Sequence, residues 1–302
     1  MTQVSIEEYE VADAAAGPYA LTTGPDGALW FTLVHSGRIG RLVPGEEPTS
    51  HRLDPGCGPT VITPGPDGAL WFTEYRADRI GRITTDGVID AFDVPTPGCG
   101  PFGIAAGPDG ALWFTETAAD RVGRITVDGS VTEFPLPVTG AFPSAITAGD
   151  DGAMWFTLNQ GNAIGRIGMD GAITRYPVPT EAAAPVGIAA GRDGALWFTE
   201  IAAGQIGRIT PDGRITEFPL PDRTAKPHAV TVDVDGTVWF TEWGGNRVGT
   251  ITPDGSVTVH DLPTPGSEPH GITVGPDGAL WTALEIGALA RITRISLANS
   301  AT

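Results

Sequence analysis

One nine-residue phrase, Gly-Pro-Asp-Gly-Ala-Leu-Trp-Phe-Thr, recurs with small variations along this 302-residue chain. Its Trp falls at 30, 71, 113, 155, 197, 239 and 281, a spacing of 41 once and 42 thereafter. Seven of the eight Trp occupy this single position, and the eighth is Trp243. So regular a repeat restricts the chain to architectures in which one supersecondary unit is stacked many times.

Three further signatures travel with the Trp. About eleven residues before it a Pro opens a short apolar run, as in Pro101-Phe102-Gly103-Ile104 or Pro227-His228-Ala229-Val230. About ten residues after it comes an Ile/Val-Gly-Arg run such as Ile80-Gly81-Arg82-Ile83. An Asp-Gly pair then leads into a run like Ile215-Thr216-Glu217-Phe218-Pro219. Each unit therefore reads as four short strands, A to D, separated by turns in which Gly takes positive φ at no steric cost. Four strands in about 42 residues is the period of a β-propeller blade.

Composition agrees. The 42 Gly and 27 Pro exclude long helices, since these residues cost about 1 and 3 kcal/mol in a helix interior. A content of 41 % hydrophobic residues excludes disorder, because it supplies enough apolar surface to offset chain entropy.

The two ends complement each other. The last unit stops after Arg291-Ile292 without a strand D, while residues 3–11 read as a strand D with no unit before them. The expected fold is an all-β, seven-bladed β-propeller with four antiparallel strands per blade, a single domain over 1–302. Blade 7 combines residues 3–11 with 268–295, and 296–302 form a tail.

The net charge of −18 repels phosphate backbones and anionic lipid, so nucleic acid and membrane surfaces are excluded as partners. The opening MTQVSIEEYE shows no signal-peptide pattern, and the expected location is cytoplasmic. Cys57 and Cys99 read as two reduced loop residues.

Alternating strand directions place the A–B and C–D turns on one face, where the units are nearly identical. The D–A and B–C connections lie on the other, where the units differ, and in a repeat protein such departures mark a candidate site. The residue after each strand-A Pro lies on that face near the axis: Tyr19, Thr60, Phe102, Ser144, Val186, His228 and His270. The two His and the Tyr fall on blades 6, 7 and 1, neighbours in a closed ring. The residue before that Pro is small or apolar in blades 1 to 5 but Lys226 in blade 6 and Glu268 in blade 7. At the end of strand B, Glu74, Glu116, Glu200 and Glu242 recur, whereas blade 7 has Leu284 there and Glu285 one residue later. Blade 7 also reaches its strand-C small residue, Ala290, one position early, which re-aims the Glu285 carboxylate.

Glu268, His270 and Glu285 thus converge on blade 7, flanked by His228 and Tyr19. Two carboxylates suit a hard divalent cation, Mg²⁺ rather than Zn²⁺. A neighbouring His with a pKa near neutrality suits a general base. The recurring Glu and the strand-C Arg41, Arg82, Arg124, Arg166 and Arg208 are expected to be structural, the Arg pairing with repeat carboxylates. The repeated Trp is expected in the core. His51 and His260 on outer strands, His35 in an outer B–C loop, and Lys226 are expected to be solvated or incidental. Asp233-Val234-Asp235-Gly236 reads as a turn.

The units GPDGALWFTE, IGRIT-x-DG and TEFPLP, with PHAV and EPHG in the last two blades, resemble the virginiamycin B lyase (streptogramin B lyase) family from Gly17-Pro18-Tyr19 to Glu285. The resemblance implies a monomeric, Mg²⁺-dependent enzyme that linearises a small cyclic depsipeptide, a streptogramin B antibiotic, by elimination at its threonine ester, and so confers resistance. It implies His270 as general base, Glu268 and Glu285 as metal ligands, and His228 and Tyr19 as substrate contacts. Residue chemistry alone leaves two alternatives open: a metal-dependent lactonase or esterase on the same scaffold, or a propeller that only binds. Thr282 and Ala290, close to Glu285, depart from the Phe and Gly of the other units, which bears on substrate fit.

Overall fold

A computed structural model describes residues 3–295. Among them are twenty-eight strands in seven four-stranded sheets, the blades of a propeller. Blades 1 to 6 follow chain order, A to D from the axis outwards. Blade 7 takes its strands A to C from Pro269–Val274, Leu280–Leu284 and Ala288–Ile295, and its strand D from Gln3–Glu10. The closing register runs antiparallel from Gln3 opposite Ile295 to Glu10 opposite Ala288. The tail expected at 296–302 lies outside the described residues.

The repeated phrase is a compact hydrogen-bonding device. In blade 1 the Asp26 carboxylate accepts from the indole N–H of Trp30 at 3.0 Å through Oδ1 and from Arg41 through Oδ2. The same arrangement links Asp67 to Trp71 and Arg82, Asp109 to Trp113 and Arg124, and Asp151 to Trp155 and Arg166. Arg208 pairs with Asp193 in blade 5. The strand-C arginines therefore pair with repeat carboxylates as expected. Each repeated Trp is buried, and its ring packs against an aromatic side chain on strand D, such as Phe92 on Trp71 with ring centroids 5.5 Å apart. Tyr9 takes that place against Trp281, so the N-terminal strand supplies blade 7 with the missing ring as well as the missing hydrogen bonds. His51 and His260 correct one expectation. They occupy the same strand-D position against Trp30 and Trp239, and burial lowers the pKa of both.

Strand C carries Gly because the strand-B Phe lies across it: a Cβ on Gly40 would collide with the Phe31 ring. Blade 7 makes the reciprocal exchange. Thr282 and Ala290 are cross-strand partners, both fully buried, so a smaller residue on one strand accompanies a larger one on the other. These departures are a paired core substitution.

Adjacent blades are tied by the strand-B Thr. Its hydroxyl donates to the backbone carbonyl of the residue after the next blade's strand-A Pro: Thr199 to His228 at 2.8 Å and Thr241 to His270 at 2.9 Å. The same bond runs from Thr32 to Thr60 and from Thr115 to Ser144. Blade 7 has Ala283 at this position, and the Tyr19 carbonyl receives no such bond. The hydrophobic core lies between blades, as where Trp113 of blade 3 packs with Ile146 and Phe156 of blade 4.

Candidate active site

The seven residues preceding the strand-A prolines all adopt left-handed backbone, with φ from +50° to +65°. Gly17, Gly58 and Gly100 do so freely, whereas Lys226 at +51° and Glu268 at +50° are long side chains in a region that favours Gly. Non-Gly residues persist in such conformations where the surroundings over-determine them, and they concentrate at functional sites. At blade 7 the surroundings are visible. Asn246 Oδ1 accepts from the Ser267 N–H at 2.7 Å, and Ser267 O accepts from the Glu285 N–H at 2.9 Å.

The second bond shows the expected shift of register. In blade 6, Glu242 pairs with Arg247 across a four-residue B–C loop, whereas in blade 7 Leu284 pairs with Ala288 across three. The deletion brings the Glu285 N–H to Ser267 O, where His35 in blade 1 meets Ala16 O. Glu285 thereby comes into the site.

At the mouth of the axis the Tyr19, His228 and His270 rings form a tight group. Centroids lie 4.6 Å apart for Tyr19–His270, 4.9 Å for His228–His270 and 5.8 Å for Tyr19–His228. The Tyr19 hydroxyl and His228 Nε2 are 3.3 Å apart. His270 Nε2 meets Glu285 Oε2 at 2.5 Å, and His35 Nε2 meets Glu285 Oε1 at 2.9 Å. The structure thus brings together Tyr19, His228, His270 and Glu285. Glu268 stands in the strained loop at the same corner, close enough for its charge to act on His270. An apolar cavity of about 170 Å³ occupies the axis, lined by Tyr19, Phe102, Val186, His228 and Ile272 among others.

Burial sets the protonation states. The His228 imidazole is pushed down to about 3, first by burial and then by the neighbouring His270. Burial also lowers His270, and the hydrogen bond and charge of Glu285 only partly restore it. Both rings are neutral at pH 7. Burial raises the Tyr19 hydroxyl well above its usual value and keeps it protonated. Burial pushes the Glu285 carboxyl up, yet the hydrogen bonds from His35 and His270 outweigh it and leave the group below its ordinary value. His270 Nδ1 is buried without a partner, so Nε2 is the ring nitrogen that faces the carboxylate.

Two residues expected to be incidental stand elsewhere. His35 is a member of the site, because its loop lies beside the shortened loop of blade 7. Its signal in the sequence is weak: a His five residues after the Trp, in the blade next to blade 7. Lys226 places its ammonium 4.9 Å from the ring centre of Trp243. Three of the four recurring Glu are paired as structural residues, as expected. Glu74 and Glu242 pair with Arg79 and Arg247, and Glu200 accepts from Gln205. Residues 234–236 form a turn, and Cys57 and Cys99 are buried free thiols.

A Mg²⁺ ion takes one or two carboxylates and completes its shell with water and substrate oxygens. Glu268 and Glu285 match that requirement, and neither cysteine lines the axial cavity. Among the described residues no group of three or more His, Cys, Asp or Glu forms a ready-made cage.

Fold and site together define a seven-bladed propeller with an imidazole–carboxylate site at one end of its axis. The virginiamycin B lyase family matches residues 4–292, and the chain belongs to that family. Similar proteins include the virginiamycin B lyase of Saccharopolyspora erythraea, 71 % identical over 51 residues, which are 17 % of this chain and 17 % of that relative. A solved streptogramin B lyase structure is 41 % identical, with a TM-score of 0.93 over 97 % of this chain and 98 % of that chain. A catalytically inactive His-to-Ala variant of the Staphylococcus aureus virginiamycin B lyase, crystallised with quinupristin, is 41 % identical, with a TM-score of 0.94 over 97 % of this chain and 100 % of that chain. No helix of the described residues is long and apolar enough to cross a membrane.

Proposed function

We propose that this protein is a carbon–oxygen lyase that linearises cyclic streptogramin B depsipeptides at the threonine ester and thereby confers resistance. The observation that carries the proposal is the neutral His270 imidazole, held by Glu285 beside His228 and Tyr19 at the axial mouth. The family membership and the quinupristin complex of the similar enzyme support it.

His270 takes the proton from the threonine Cα on its unprotonated ring nitrogen. The C–H electron pair forms the Cα–Cβ double bond, the Cβ–O bond breaks, and the ester leaves as a carboxylate. A carboxylate is a stable leaving group and needs no proton, so a neighbouring acid is unnecessary. Tyr19 and His228, both neutral, orient the substrate by hydrogen bonding and ring contact. Glu285 accepts from His270 Nε2 and so holds the orientation and tautomer of the ring. Glu268 and Glu285 would hold Mg²⁺, which when bound would stabilise negative charge on substrate oxygens. No nucleophilic Ser or Cys takes part. A monomeric enzyme belongs to the same proposal, supported by a ring completed within one chain, and so does a cytoplasmic location. Gel filtration and cell fractionation test both.

Incubation with quinupristin, with and without EDTA, followed by mass spectrometry, tests the reaction. Elimination gives a linear product of unchanged mass that needs the metal. A product heavier by one water would instead make the protein an esterase, and no turnover would make it a binding module. His270→Ala is expected to lower kcat by a factor of about 10² to 10⁴, the range for loss of a general base.

A further inference from the structure

We infer that His35 is a positioning residue for the reaction: it fixes the Glu285 carboxylate so that its other oxygen stays on His270. The inference rests on the proposed role of His270. A Glu carboxylate turns about a terminal torsion with a broad, roughly two-fold profile, so one contact does not fix its plane. Glu285 has two. His35 Nε2 is 2.9 Å from Oε1, and His270 Nε2 is 2.5 Å from Oε2. The two imidazoles therefore hold the carboxylate from both oxygens.

His35 is itself seated. Its backbone N–H donates to Ala16 O at 3.1 Å. Its ring lies on Gly17, where a Cβ would collide with Cδ2. Gly17 is the blade 1 member of the left-handed series and immediately precedes Pro18-Tyr19. The bare Cα that admits the His35 ring thus belongs to the loop that delivers Tyr19. The carboxylate it meets comes from the one B–C loop shortened relative to blade 6 as described above. Two local departures from the repeat, on adjacent blades, meet in one contact.

Four proteins test this: the parent, His35→Ala, His35→Gln, whose amide can donate from a comparable reach, and Glu285→Gln as the reference for a lost carboxylate. The first measurement is the ¹⁵N imidazole spectrum of His270 without metal or substrate. The second is kcat and KM for quinupristin opening. In His35→Ala the His270 Nε2 resonance is expected to move towards its position in Glu285→Gln. Its kcat is expected to fall 10- to 100-fold, the range for partners that orient a functional group, with KM within about twofold and an unchanged melting temperature. His35→Gln is expected to recover most of both. Parental kcat and an unmoved His270 signal in His35→Ala would overturn the inference, as would a Gln variant no better than Ala. Failure of the parent to open quinupristin would overturn the proposed function instead, and the His270 spectrum would still decide the role of His35.

Discussion

Replacing Glu116 by Gln should make the protein more stable in alkali and leave it unchanged in acid. Glu116 ends strand B of blade 3, is fully buried, and both its oxygens lack a hydrogen-bond partner. Burial, with the charge of neighbouring Glu133, pushes its carboxyl up to about 8 from an ordinary 4.5. The folded state therefore binds this proton more tightly than the unfolded chain. The resulting stability is complete below pH 4.5 and is lost progressively as pH rises to about 8, beyond which the loss is constant. At about 1.4 kcal/mol per pH unit, the full span corresponds to about 3–5 kcal/mol. Gln carries no charge at any pH and is spared that loss. Urea unfolding of both proteins at pH 5, 7 and 9 measures the difference. It is expected near zero at pH 5, intermediate at pH 7 and about 3–5 kcal/mol in favour of Gln at pH 9. Glu200, raised to about 7 for the same leading reason, leaves a residual slope in both. Parallel stability profiles across the three pH values would refute the reasoning, because they would mean that Glu116 titrates alike in folded and unfolded chains.

Three further outcomes follow from the same geometry. Glu268→Gly should remove a left-handed strain of about 1–2 kcal/mol, partly offset by greater unfolded-state freedom, so the melting temperature should rise slightly while quinupristin opening is lost. A lower melting temperature would show that Glu268 is not strained. Gly40→Ala should cost about 1–3 kcal/mol by driving a methyl group into Phe31, and adding Phe31→Thr should recover part of that, as Thr282 and Ala290 do together in blade 7. Equal denaturant midpoints for the single and double variants would count against this account of the exchange. Trp113→Ala, which empties a fully buried site between blades, should cost about 3–5 kcal/mol by chemical denaturation.

Much of the site was legible because the repeat provides its own reference. Against seven copies, His228, His270, Glu268 and Tyr19 stand out as departures at fixed positions on one face, and the early Ala290 betrays the shortened loop that carries Glu285. His35 was not legible in this way. Its B–C loop position is occupied by different residues around the ring, so a His there breaks no pattern. Its importance depends on which carboxylate the neighbouring loop presents. His51 and His260 escaped for a related reason: their place holds Phe or Tyr in the other described blades, and the stacking partner lies two strands away.

By itself the sequence determined the propeller, the closing role of residues 3–11 and the face that carries the site. Those properties follow from local rules, positive-φ Gly in turns and a 42-residue period, repeated until only one closed arrangement buries every Trp. Tertiary structure alone decided the contacts across the seam between blades 7 and 1. There His35 reaches Glu285, some 250 positions away along the chain. Such contacts depend on the angle between blades and on the length of one loop, and the period of a repeat does not encode either.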